Sequence, residues 1–105
     1  MKTYTLDLIA LNINAEGMEV PPTSPIFMGH SDYSDLKNIK GQAKVKRNES
    51  TLEIELDMFT IRNQTKVERF LKKDLAEINA GVKITEMVDG KIQKCKLLSV
   101  SIVAK

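Results

Sequence analysis

The feature that most constrains the fold is an alternation of apolar and charged side chains between residues 43 and 58. Ala43 and Val45 alternate with lysines, and a polar turn follows at residues 48–50. The second run alternates apolar with acidic residues: Leu52, Glu53, Ile54, Glu55, Leu56, Asp57 and Met58. Successive side chains of a strand point to opposite faces, so this pattern predicts an antiparallel hairpin with one buried face. The lysines and acids then face each other on the exposed side.

A helix is predicted over residues 65–80. Thr65 and Glu68 have the spacing of a capping box, in which both side chains bind otherwise unpaired backbone amides of the first turn. Apolar residues then recur at helical spacing, namely Val67, Phe70, Leu71, Leu75 and Ile78. Gly81 suits the left-handed residue that ends many helices. We expect this apolar stripe to cover one face of a sheet.

Two further strands, residues 82–88 and 91–103, are predicted around Asp89-Gly90. This dipeptide is favoured in tight hairpin turns because both positions need a positive φ. Residues 97–103 carry apolar side chains on both faces, and so does the segment from Tyr4 to Ile13. Both patterns predict central strands, which we expect to lie near each other.

The predicted order is strand, loop, hairpin, helix, hairpin. It indicates an α+β fold, with a small mixed or antiparallel β-sheet, or a partly open barrel, of about five strands and one packed helix. A chain of 105 residues with 42% hydrophobic residues is expected to form a single domain over residues 1–105.

Residues 14–36 are predicted to form a long irregular loop, because glycines and prolines interrupt any regular period. Prolines restrict the chain to extended conformations at low entropic cost, and apolar side chains lie between them. Candidates for contacts with another protein are therefore Pro22, Pro25, Ile26, Phe27 and Met28. The alternative is that this loop folds back on its own core.

The charge pattern favours neither a nucleic-acid nor a membrane partner. Sixteen basic and 14 acidic residues leave a net charge of +2, and there is no tryptophan to stack on bases. No apolar stretch approaches the roughly 18 to 20 residues that a membrane-spanning helix needs. The single cysteine and an N-terminus without a long apolar run predict a reducing, cytoplasmic origin.

Few residues are candidates for chemistry. His30 is the only histidine, and a general base needs a nucleophile within reach and an orienting partner. One His and one Cys do not make a metal site, and isolated glycines form no phosphate-binding pattern, so no metal and no cofactor are expected. Cys95 lies between two lysines, but on an alternating strand it points away from both and is expected to be partly buried and inert.

Four stretches resemble a known family when they are taken in order. Residues 14–20 look like an early loop, and residues 25–31 look like an apolar stretch that ends in a catalytic histidine, here His30. Residues 39–45 and 52–57 resemble an "Ile-Gly-x-Ala" strand and its partner, and residues 97–103 are similar to a closing "Leu-x-Glu-Val-Ser-x-Val" strand. Over roughly residues 7–103 the chain thus resembles the tailed-phage prohead (capsid maturation) protease family, whose fold is related to the herpesvirus assemblin proteases.

Departures from that family pattern change the expected function. The family's nucleophile is a serine in a Ser-x-Gly turn after the helix, and Asn79-Ala80-Gly81 stands in its place. An amide nitrogen is not activated by an imidazole as a hydroxyl is, so His30 would be a remnant. Ser99 stands where members of the family often have Glu.

The resemblance therefore implies a non-enzymatic phage structural protein, an auxiliary or decoration protein. Its partner would be the capsid shell or another virion protein, and it would be found first in the host cytoplasm and then in the virion. One alternative is an active prohead serine protease with Ser99 or Ser101 as nucleophile. Another is a protein-binding module unrelated to virions. Uncovered strand edges would also be compatible with a homo-oligomer.

Overall fold

The computed structural model describes residues 2–29 and 38–105. Its elements are β1 (Thr3–Asp7), a 3₁₀ turn (Ala15–Gly17), β2 (Met18–Glu19), β3 (Thr23–Met28), β4 (Ile39–Asn48), β5 (Thr51–Met58), α1 (Ile61–Lys72), β6 (Ala76–Val88) and β7 (Lys91–Ala104). Among these residues, seven strands form one open mixed sheet. The predicted α+β class with one helix is confirmed, but the sheet has more strands than the five expected.

The strand order is β1-β5-β4-β3-β7, with β6 on the far side of β7. β3 runs antiparallel to β4 and parallel to β7, whereas β6 runs antiparallel to β7 along its whole length. The last strand is therefore central, as predicted. Its neighbours are β3 and the short β2 on one side and β6 on the other, however, and the first strand lies at the opposite edge of the sheet.

The β4–β5 hairpin is confirmed in detail. Lys44 lies opposite Glu55, and Lys46 lies opposite Glu53, on the exposed face. The other face is buried and supplies much of the core, with Ala43, Val45, Leu52, Ile54, Leu56 and Met58. Glu49 takes a positive φ of 55° in the short connection, which lets the chain reverse between the strands.

The predicted central strand from Tyr4 to Ile13 is wrong, because β1 ends at Asp7 and pairs only with β5. An Asp7 side-chain oxygen accepts the backbone N–H of Ile9 at 3.0 Å, and Asn12 takes a φ of 58°. These local bonds turn the chain, as Asp and Asn often do. Leu8 and Ile13 are thereby buried, while Ile9 and Leu11 point to solvent.

The predicted irregular loop over residues 14–36 is ordered in its described part. It runs parallel to β7 in three short pieces, which pair Ile13 with Ile92, Met18 with Cys95, and Ile26 with Val100. The 3₁₀ turn interrupts this run, and so does Pro21-Pro22, where no backbone N–H exists to extend a ladder. The proline signal was thus correct for the breaks and wrong for the intervening strands.

The helix spans Ile61–Lys72 rather than residues 65–80. Its N-cap is Thr60, whose hydroxyl oxygen accepts the Asn63 N–H at 3.1 Å, so Thr65 lies inside the helix. The Gln64 side chain accepts from the Met58 N–H and donates to the Leu56 carbonyl, which ties the helix to β5. Asp74 then takes a φ of 58° and redirects the chain into β6.

The predicted C-terminal part of the helix is a strand because its residues satisfy a two-residue period as well as a helical one. From Ala76 to Ile84 the even-numbered residues are apolar, and Glu77, Asn79 and Lys83 alternate with them. Ile78 pairs with Ile102 on the central strand, and Gly81 pairs with Ser99. Pairing along β7 therefore outweighs the helical spacing of Leu75 and Ile78. The turn at Asp89 and Gly90, with φ of 50° and 79°, is confirmed.

Candidate interaction surface

The residues expected to carry or replace catalysis do not form an accessible site in the described part of the chain. Asn79 is exposed in the middle of β6, opposite Ser101, and not in a turn after the helix. Ser99 and Ser101 are only 3% and 2% exposed. His30 lies outside the described residues.

Gly81 explains why β6 lies so tightly on β7 at this point. A Cβ added to Gly81 would approach the Ser99 Oγ to 2.3 Å, far inside normal contact. The glycine is therefore a packing requirement of the β6–β7 ladder. Its assignment to a helix end from the sequence was wrong, since it lies inside the strand.

Cys95 is buried in the core, more completely than the partial burial predicted from its place on an alternating strand. It pairs with Ile84 on one side and with Met18 on the other. Burial raises the pKa of the Cys95 thiol, which keeps it in the protonated, weakly nucleophilic form. The two lysines that flank it in sequence are exposed.

The residues predicted to contact a partner lie in and before the central strand β3. Ile26 is fully buried and belongs to the core, and Phe27 is buried as well. Pro25 and Met28 are partly buried, and Pro22 is exposed. In this fold, Ile26 and Phe27 have no surface to present to another protein. Ile26 instead packs in the core, as the alternative expectation of a loop folded back on its own core had it.

Exposed apolar side chains concentrate at the end of the β6–β7 hairpin. Ile84, Met87 and Val88 are 47%, 55% and 47% exposed within a short stretch of β6. Ile84 and Met87 lie on the face that carries their partners Cys95 and Ile92, whereas Val88 points to the opposite face. Together we call these three residues the hairpin tip. Sequence reasoning missed the tip because residues 82–88 were predicted to be an ordinary strand of the sheet.

The outer edge of β6 has no neighbouring strand among residues 2–29 and 38–105, since β6 pairs only with β7. The Lys105 N–H donates to the Leu75 carbonyl, so this carbonyl faces β7, while the Leu75 N–H donates to the Phe70 carbonyl. Alternation then directs the backbone groups of Ala76, Ile78 and Ala80 away from β7, toward the free edge. Such a row of unpaired groups can accept another strand.

The charges around this hairpin are only partly matched. Glu86 and Lys94 form an ion pair at 3.5 Å. Lys83, by contrast, lies directly opposite Lys96 on β7. Like charges at opposed positions of a ladder are unfavourable. A carboxylate supplied by a partner beside Lys83 would relieve this repulsion.

A cleft of about 500 Å³ lies between the 3₁₀ turn and the hairpin tip. Its lining is polar apart from Val88, and includes Asn14, Glu16, Gly17, Glu86, Gln93 and Lys94. Small-molecule sites are usually apolar with a few polar groups. The cleft therefore resembles the hydrated polar rim of a protein interface more than a substrate pocket.

Comparisons with protein-family models, with curated proteins and with solved structures find no match for this chain. The resemblance to the prohead protease family therefore depends on the sequence stretches alone. Within residues 2–29 and 38–105, no group of three or more His, Cys, Asp or Glu side chains is arranged to hold a metal ion. The helix in the same residues is too short and too polar to cross a bilayer.

Proposed function

We propose that this protein is a non-enzymatic binding protein that contacts another protein through the hairpin tip and the surface around it. The observation that carries the proposal is the exposure of Ile84, Met87 and Val88 at the end of a hairpin with an open edge. Exposed apolar side chains that cluster beside polar ones are typical of protein contact sites. In the rest of residues 2–29 and 38–105 the exposed large apolar residues are fewer together in sequence, for example Phe59 and Ile61 before and at the start of α1.

The chemistry of the surroundings indicates the kind of partner surface. Lys83, Lys91 and Lys96 lie on the face of Val88, opposite the face of Ile84 and Met87, and Asp89 is the acid at the turn. A partner that grips the end of the hairpin would therefore be apolar toward Ile84 and Met87 and acidic toward the face of the lysines. Because the Glu86–Lys94 pair is already formed, its charges contribute little to that match.

The burial of Ser99 and Ser101 supports a non-catalytic role, since a nucleophile must reach its substrate. The raised pKa of the buried Cys95 thiol also supports a non-catalytic role, because it disfavours the nucleophilic thiolate. We further propose, on the sequence resemblance, that the partner is the capsid shell of a tailed phage and that the protein is an auxiliary component of the virion.

Two measurements test these statements separately. Mass spectrometry of purified virions from a phage that encodes this chain is expected to detect it, and its absence would remove the capsid role. Co-sedimentation with purified shells is expected to weaken about tenfold or more for Met87→Glu. The matched control Ile61→Glu places the same charge at an exposed apolar residue of α1 and should bind like the wild type. Equal binding of both variants would contradict the role of the tip.

The alternative of an active serine protease has a distinct signature. Stoichiometric labelling by a fluorophosphonate probe, lost in His30→Ala, would replace the proposal with an enzymatic function. We expect no stoichiometric labelling.

A further inference from the structure

The free edge of β6 is regular from Ala76 to Ile84. The irregularity between Gly81 and Val82 comes from an additional residue on β7, Leu98, so β6 itself is continuous there. The next irregularity, at Thr85, follows Ile84. Between these limits, no proline or extra residue on β6 prevents another strand from pairing.

The sequence of this edge is self-complementary about Ala80. If two copies of β6 pair antiparallel around a two-fold axis at Ala80, residues equally far from Ala80 lie opposite each other. Glu77 of one copy then faces Lys83 of the other, and the symmetry repeats the pair. On the other face, Ile78 lies opposite Val82, and Ala76 lies opposite Ile84.

The pairing gives Lys83 a carboxylate partner and Glu77 a cationic partner. Lys83 lies beside Lys96 within its own hairpin, and the second copy would bring the carboxylate of Glu77 to its open side. Glu77 faces the apolar Val103 across its own ladder. Lys105 also interacts with Glu77, but its ammonium is already paired with Asp74. A cation from outside would therefore be matched to Glu77.

The backbone fits the same register. Ala76, Ile78 and Ala80 direct their N–H and C=O groups toward the edge, and the alternation places Val82 and Ile84 in the same row. Every outward-facing residue then meets another outward-facing residue of the second copy. Asn79 would lie opposite Gly81, which has no side chain to obstruct it.

We propose that a second copy of this protein is the occupant of the β6 edge, paired antiparallel about Ala80 so that one sheet continues through both protomers. The paired segment ends at Ile84, where the irregularity at Thr85 redirects the strand. Met87 and Val88 then remain outside the pairing. Self-association uses Ile84 of the tip but leaves Met87 and Val88 available, so it can coexist with binding of another protein through those two residues.

Charge exchange tests the register directly, with sedimentation equilibrium measured over a range of protein concentrations. Glu77→Lys and Lys83→Glu each place like charges opposite each other twice and are expected to raise the dissociation constant of the dimer about tenfold or more. The double variant Glu77→Lys/Lys83→Glu restores opposite charges and should dimerise like the wild type. An equimolar mixture of the two single variants should form a heterodimer, although neither forms a homodimer well.

Lys91→Glu is the matched control, since it makes the same charge change on the hairpin outside the paired segment, and it should leave the dimer intact. Circular dichroism of each variant verifies that the fold is retained. A wild type that remains monomeric at millimolar concentration would overturn the proposal. So would single variants that dimerise normally, or a mixture that fails to associate. Binding to shells through Met87 is measured independently, so its loss would not affect this result.

Discussion

The two long hairpins of this protein differ in how completely the molecule itself satisfies them. In β4–β5, Lys44 and Lys46 of the exposed face have Glu55 and Glu53 opposite, and strands lie on both sides. In β6–β7, one edge is open among the described residues, Lys83 faces Lys96, and the tip exposes apolar side chains. The difference teaches that an alternating pattern is enough to predict a hairpin but not enough to predict whether its charges and edges are satisfied within the molecule. Whether that hairpin is self-sufficient depends on the charges opposite each other and on its neighbours.

The largest expected contrast is in stability. Ile54→Ala removes a fully buried side chain of β5 and should lower the free energy of unfolding by about 2–5 kcal/mol. Ile84→Ala removes the same atoms from a half-exposed position of β6 and should cost no more than about 1 kcal/mol. Urea unfolding at low protein concentration measures both. Equal losses would show that the two hairpins are equally buried and would break the comparison.

A second prediction concerns the contact that holds β6 on β7. Gly81→Ala places a methyl group 2.3 Å from the Ser99 Oγ and should cost about 1–3 kcal/mol in thermal or urea unfolding. Adding Ser99→Ala removes that oxygen and leaves the Ser99 Cβ at 3.6 Å, an ordinary contact. We therefore expect the double variant to regain most of the loss. Strictly additive losses would indicate that the two residues do not touch.

The helix begins at Ile61 rather than at Thr65, which gives a third prediction. Thr60→Ala removes the N-cap and should lower the free energy of unfolding by about 0.5–2 kcal/mol. Thr65→Ala lies inside the helix and should change it by no more than about 0.5 kcal/mol. The opposite ranking would favour a helix that starts at Thr65, as the capping-box spacing had predicted.

The smallest expected effect is a dependence of stability on alkaline pH. Burial raises the pKa of the Cys95 thiol in the folded state, so the folded protein holds this proton more tightly than the unfolded chain does. The resulting stabilisation is complete below the ordinary thiol pKa of about 8.5 and is lost as the pH rises through the folded-state value. Cys95→Ala should show a flatter decline than the wild type in this range. Parallel declines would mean that other groups dominate.

How much the sequence could predict depended on whether a segment satisfied one pattern or two. The alternation from Ala43 to Met58 fits only a strand period, and the hairpin with lysines opposite acids was predicted correctly, although its turn is one residue shorter than predicted because Asn48 pairs with Thr51. Leu75 and Ile78 fit both the helical and the strand period, and pairing with distant residues such as Ile102 decided between them. The open edge of β6 was not predictable for the same reason, because strand order depends on contacts between residues far apart in sequence. The tip was visible only as three apolar residues in a strand whose neighbours were unknown.

The most direct test of the account is amide hydrogen exchange along β6, followed at low and at high protein concentration. In dilute solution, the amides of Ala76, Ile78 and Ala80 should exchange rapidly, while the inward-facing amides of Glu77 and Asn79 are protected by β7. At high concentration, where the second copy pairs, the outward-facing amides should become protected too. Protection of Ile78 and Ala80 at every dilution would contradict an open edge, and rapid exchange at every concentration would contradict the paired one.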